Sequence, residues 1–206
     1  MKKLRLLLSV LNIGLASFAF GGLTEEYIGS FYKGDTLDLS EKEVYPEDIR
    51  EIMDYCVSKG VGYLNLSHNH IGAEGARKIG EALKTNTTLM SLDLSCNLIG
   101  DEGARKIGES LEINTTLTDL NLYCNLIGAE GARKIGEALK TNTTLTSLNL
   151  RANGIGDEGA RMISEFLKVN NTLTNLNLRA NRIGDKGMEK IKEALFLNTT
   201  VTQLDF

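Results

Sequence analysis

Arg151 and Arg179 stand 28 residues apart, and Tyr123 stands another 28 before Arg151. Each follows an L-x-L pair, so all three take the same place on a recurring structure. Tyr and Arg are the residue types that most often dominate protein interfaces. In each copy the residues flanking the leucines are polar. In order they are Tyr63, Asn65 and Ser67; Ser91, Asp93 and Ser95; Asp119, Asn121 and Tyr123; Ser147, Asn149 and Arg151; Asn175, Asn177 and Arg179; then Gln203 and Asp205. On a strand such alternation puts them on one face. Tyr123, Arg151 and Arg179 would form a diagonal strip there, with Arg182 beside it in the following loop and acids towards the middle. The middle column, Asn or Asp throughout, is expected to be mostly solvated. The chemistry is that of recognition: the strip suits an acidic patch or carboxylate of a protein partner. The expected partner-binding set is Tyr63, Asp93, Asp119, Tyr123, Arg151, Arg179 and Arg182.

Other chemistries find little support. His68 and His70 are the only histidines, and no third ligand accompanies them. There is no nucleophile elbow, phosphate loop or zinc spacing. No catalytic residue, metal or cofactor is therefore expected, and no small-molecule substrate. The net charge of −4 argues against nucleic acid, whose partners cluster Lys and Arg. Cys96 and Cys124 share one repeat position, where later copies carry Ala152 and Ala180. Stacked copies would put their Cα atoms about 5 Å apart, inside the disulfide window. The alanines and the parallel side chains nevertheless favour free thiols. Cys56 reads as a core thiol.

The elements that must position these residues are repeats. Asn69, Asn97, Asn125, Asn153 and Asn181 follow at intervals of 28, each in a unit L-x-x-L-x-L-x-x-N-x-I-G. Residues 71–88 and 127–144 are identical, IGAEGARKIGEALKTNTT. Within a unit the apolar period changes from two (Leu92, Leu94) to helical (Ala104, Ile107, Leu111), which predicts one strand and one helix. Such units bury their apolar sides only by stacking. Strands stack about 4.8 Å apart and helices 8–10 Å apart, so the array must curve with its strands inside. The asparagines, placed where the chain leaves the strand, are expected to satisfy stranded backbone groups. Asp101, Asp157 and Asp185 read as N-caps of their own helices, a role that Ala73 and Ala129 cannot fill. Glu74 with Lys78, and Arg77 with Glu81, have i,i+4 spacing on a solvated outer face. Leu98 and Leu126 are expected to tuck into the packing. N-T-T at Asn86, Asn114, Asn142 and Asn198 matches a glycosylation sequon but is more simply a helix-ending turn.

On these motifs residues 61–206 resemble the ribonuclease-inhibitor type of leucine-rich repeat, found also in NOD-like receptors and bacterial proteins. The resemblance implies an α/β solenoid, a horseshoe arc with a parallel β-sheet on its concave face and helices on its convex face. It also implies protein partners bound on that concave face. Unlike the inhibitor, this chain has a single class of repeat, few cysteines and far fewer units, so the inhibitor's target does not carry over.

The ends differ from the middle. Residues 1–19, a basic start and an apolar run to small residues, read as a signal peptide. Its cleavage would remove Lys2, Lys3 and Arg5 and shift the charge from −4 to −7. The chain would then be secreted or periplasmic; an uncleaved segment would leave it membrane-anchored or cytoplasmic. Residues 20–60 read as a degenerate capping repeat, with Leu37 and Leu39 on its strand, Ile49, Ile52 and Cys56 on its helix, and Pro46 opening that helix. Five full repeats follow, and a terminal strand begins at Val201. Leu204 and Phe206 would lie by an open sheet edge, so self-association through that edge is the alternative to concave-face binding.

Overall fold

The computed structural model describes residues 23–206; the leader expected over 1–19 lies outside them. The structure is an α/β solenoid built on one eight-stranded sheet whose strands lie in sequence order. A short helix α1 (Glu25–Gly29) leads into β1 (Tyr32–Lys33) and β2 (Thr36–Asp38), the one antiparallel pair among the described residues. A 3-10 turn (Pro46–Asp48) then opens α2 (Ile49–Lys59). Strands β3 (Tyr63–Asn65), β4 (Ser91–Asp93), β5 (Asp119–Asn121), β6 (Ser147–Asn149), β7 (Asn175–Asn177) and β8 (Gln203–Asp205) continue the sheet in parallel. Between them run α3 (Gly72–Leu83), α4 (Gly100–Leu111), α5 (Ala129–Leu139), α6 (Gly156–Leu167) and α7 (Asp185–Leu197).

Register follows from the leucines. Leu64 pairs with Leu92, Leu92 with Leu120, Leu120 with Leu148, and Leu148 with Leu176. All five are buried, so a one-residue slip would turn the whole row outward. Behind the sheet, Ala104, Ile107 and Leu111 and most of their counterparts form one continuous buried core, against which Leu195 of the last unit packs partly buried. Helices lie close because glycine permits it: a Cβ at Gly80 would stand 2.6 Å from the Lys106 carbonyl oxygen.

Two columns of asparagine hold the turns. Asn125 is fully buried. Its Oδ1 accepts from the Asn97 N–H (2.9 Å), and its Nδ2 donates to the carbonyls of Leu94 (2.8 Å) and Tyr123 (3.2 Å). Asn97, Asn153 and Asn181 are used alike, each spanning neighbouring units. Asn69 does the same work towards residues 39–44, accepting from the Val44 N–H and donating to the Leu39 carbonyl. A second column, Asn114, Asn142, Asn170 and Asn198, ties each helix exit to the one before. Asn142 Nδ2 donates to the carbonyls of Leu111 (2.8 Å) and Asn114 (3.3 Å), and its Oδ1 accepts from Leu145 N–H (2.8 Å). A glycan on the amide nitrogen of buried Asn114 or Asn142 would displace these bonds, which removes the sequon reading there.

The aspartates do not cap their own helices. Asp101 Oδ1 accepts from the N–H groups of Gly128 (2.7 Å) and Gly131 (2.8 Å), at the start of the following helix. Asp157 does the same for Gly184 and Gly187. The reason is geometric: the side chain points along the stack, where the next helix presents unpaired N–H groups. Asp185 makes no such cap bond to its own helix either.

Candidate interaction surface

The strands are only three residues long, so the third flanking column lies just past them. Its backbone is held by the middle column. Asn149 Oδ1 accepts from Arg151 N–H (3.0 Å) and Asn177 Oδ1 from Arg179 N–H (3.0 Å); Asn65, Asp93 and Asn121 serve Ser67, Ser95 and Tyr123 likewise. The middle residues are accordingly half-buried and bonded, not simply solvated. Their role is to fix the direction in which the third column leaves the sheet.

Arg151, Arg179 and Arg182 are exposed, and Tyr123 is half-buried. The Arg151 guanidinium lies over the Tyr123 ring, 5.5 Å from its centroid, a contact that orients the cation while leaving its donors free for a ligand. Arg179 Nη2 lies 3.9 Å from Asp205 Oδ1, with the two side chains 57% and 31% exposed; at that separation and exposure the pair is weak. Tyr123 and Arg151 are thus in contact, and Arg179 follows one step further along the ladder. The remaining expected residues do not join them. Tyr63 is exposed but stands on β3, three strands from β6, about 14 Å away by strand spacing. Asp93 is already engaged, accepting from Ser95 Oγ (2.6 Å) and Asn121 Nδ2 (2.8 Å). Asp119 is exposed and accepts from Thr118 Oγ1 (2.8 Å).

Leu98 and Leu126 are 65% and 68% exposed, contrary to the expected packing. Both sit at left-handed φ (57° and 59°), which swings the side chain away from the core. The polar His70 and Arg182 at the same position were a signal that this site faces solvent. The histidines do not meet: His70 stacks on Tyr45 (4.9 Å, 26°), while His68 is exposed on its own turn. No group of three or more metal-ligating residues occurs among the described residues. Cys96 and Cys124 are free and half-buried, and Cys56 is free and buried. Burial pushes the Cys56 thiol up to about 12. The Cys96 thiol is also raised, by desolvation first and then by the adjacent Cys124 thiol.

On the convex face Arg105 and Arg133 bridge acids three residues before and four after, Glu102 and Glu109 and Glu130 and Glu137. Lys78 instead donates to the Pro46 carbonyl oxygen (3.0 Å), replacing the expected pair with Glu74. Glu102 and Glu130 are held below the ordinary carboxylate range by hydrogen bonds from those arginines.

A parallel sheet inside, helices outside and asparagine columns stitching the turns define a leucine-rich repeat solenoid. The chain belongs to the leucine-rich repeat family, whose model matches residues 63–80, 85–108, 114–136, 141–164 and 169–192, together more than half of it. Among solved structures it is similar to leiomodin-1 actin-binding site 2, with 32% identity, 61% of this chain and 75% of that one covered, and a TM-score of 0.58. It is also similar to the tropomodulin C-terminal domain of Caenorhabditis elegans, with 16% identity, coverage of 73% and 92%, and a TM-score of 0.55; at that identity the likeness is one of fold. No curated protein matches significantly.

Proposed function

We propose that the chain is a non-enzymatic protein-binding module that grips an acidic surface with Tyr123, Arg151, Arg179 and Arg182 on the concave side of its sheet. The observation that carries this reading is the Arg151–Tyr123 stack, which presents an exposed, oriented cation beside a second exposed cation with only a distant partner. We also read the units as the ribonuclease-inhibitor type, with a 28-residue period and residues 20–60 as the cap. The likeness to leiomodin-1 actin-binding site 2 makes actin the first partner to try. The test is co-sedimentation with actin filaments, and pull-down with monomeric actin, of the intact chain and of the Arg151→Glu, Arg179→Glu double variant. Binding that the double variant loses supports the reading; binding that it retains at full strength removes the strip from it. Residues 1–19 are proposed as a leader that directs export, which N-terminal sequencing of the native protein tests.

A second reading rests on the other end of the sheet. Phe196 and Leu197 at the end of α7 and Phe206 after β8 are 90%, 63% and 45% exposed, and the outer edge of β8 has no strand neighbour among the described residues. Self-association there predicts dimers in sedimentation equilibrium that Phe206→Lys abolishes; a monomer at tens of micromolar eliminates it.

A further inference from the structure

Cys96 and Cys124 are neighbours in the one column of the turn where two successive units carry sulfur. Their backbones continue the parallel ladder beyond the strands: Cys96 N–H donates to the Tyr123 carbonyl (2.9 Å) and Cys124 N–H to the Arg151 carbonyl (3.0 Å). Both residues have the same left-handed φ, 56° and 54°, so their Cα–Cβ bonds point the same way. Two side chains related by one parallel strand step are separated by about 4.8 Å.

That spacing selects among thiol chemistries. A disulfide requires sulfurs about 2.05 Å apart and a torsion near 90°, which side chains leaving the ladder in parallel disfavour, and both thiols are free. A structural zinc site requires four ligands, whereas the column continues to exposed His68 on one side and Ala152 on the other. A cation held between two thiolates needs the sulfurs on neighbouring rungs but well beyond bonding distance of each other, a separation that side chains one strand step apart supply. Soft thiolates favour Cu(I). Both thiols are half-buried, accessible to an incoming ion yet flanked by Leu98 and Leu126.

We propose that Cys96 and Cys124 form a two-coordinate thiolate site for Cu(I). Binding replaces two S–H bonds with two S–Cu bonds and releases two protons; copper stays monovalent and sulfur stays reduced.

The test is an anaerobic titration of the reduced full-length chain with Cu(I), using bathocuproine disulfonate as competing chelator and X-ray absorption to count sulfur ligands. The expected result is one Cu(I) per chain bound by two sulfurs. Cys96→Ala and Cys124→Ala, which introduce the residue already present at 152 and 180, should each weaken binding by at least about 100-fold. Cys56→Ala and His68→Ala should leave it unchanged. Undiminished binding in either cysteine variant, a dependence on His68, or no competitive binding at all would overturn the site. So would a Cys96–Cys124 disulfide found by mass spectrometry in the protein as isolated.

Discussion

Residues 71–88 and 127–144 have the same eighteen side chains and do not have the same structure. Gly72 takes φ +58° and its N–H donates to the Asn97 carbonyl (2.9 Å). Gly128 is extended (φ −93°, ψ −163°) and its N–H donates to Asp101 Oδ1. Helix α3 therefore starts at Gly72, while α5 starts one residue later in register, at Ala129. The cause is the preceding unit, which supplies Asp101 to one copy and nothing equivalent to the other. Downstream the copies differ again. Asn142 Nδ2 reaches two carbonyls of the unit before it, whereas buried Asn86 Nδ2 has no partner. The turn after α2 closes on itself, with Gly60 and Val61 N–H groups taking the Cys56 carbonyl. In a stack, a residue's neighbour one unit away acts as part of its local sequence.

The contrast can be broken most directly at the asparagines. Asn142→Ala should cost about 3 kcal/mol, since it strands several buried groups, and Asn86→Ala only about 1 kcal/mol; urea unfolding of both variants measures the gap, and equal losses would refute the account. Next in size is the aspartate. Asp101→Ala should cost about 1–2 kcal/mol and turn Gly128 to positive φ, visible in its backbone couplings by NMR. Ala73→Asp should do the reverse, drawing Gly100 into the extended form with a gain of about 1 kcal/mol. Gly72→Ala should lose about 1 kcal/mol because a side chain at φ +58° is strained, and Gly128→Ala less, because only the movable Asp101 carboxylate lies within 3.4 Å of the new Cβ. The smallest effect is electrostatic. Arg77 and Arg133 depress Glu74 and Glu130, so this stabilisation is complete above the unfolded value of 4.5 and fades as pH falls through the native values. Thermal melts should show a slight acid-side loss that Arg77→Ala and Arg133→Ala each reduce, and that added salt masks.

Much of this architecture was legible in the chain. The L-x-L spacing specified the strands, and the change of period specified the helices, because both depend on periodicity within one unit. What the sequence concealed depends on the stacking direction. Asp101 looks like a cap for its own helix until the next helix is seen beside it. Leu98 looks like core until its left-handed backbone is known. The amide column at Asn114 and Asn142 was visible as a repeated N-T-T, but its bonds reach back to residues 28 and 31 positions earlier. The contact of Tyr123 with Arg151 follows from their shared place in successive units; the internal commitment of Asp93 was not legible, since it involves Asn121 on the adjacent strand.

The asparagine columns also set how the molecule responds to load. From Asn97 and Asn114 onward the column amides are each fastened to two units, so straightening the arc must stretch the same bonds at each step together, and the concave radius is effectively fixed. Peeling is different, because a load applied at one end works against one unit's bonds at a time. Pulled at one end the solenoid should come apart unit by unit, like a chain of latches opened in order, while the rest keeps its shape.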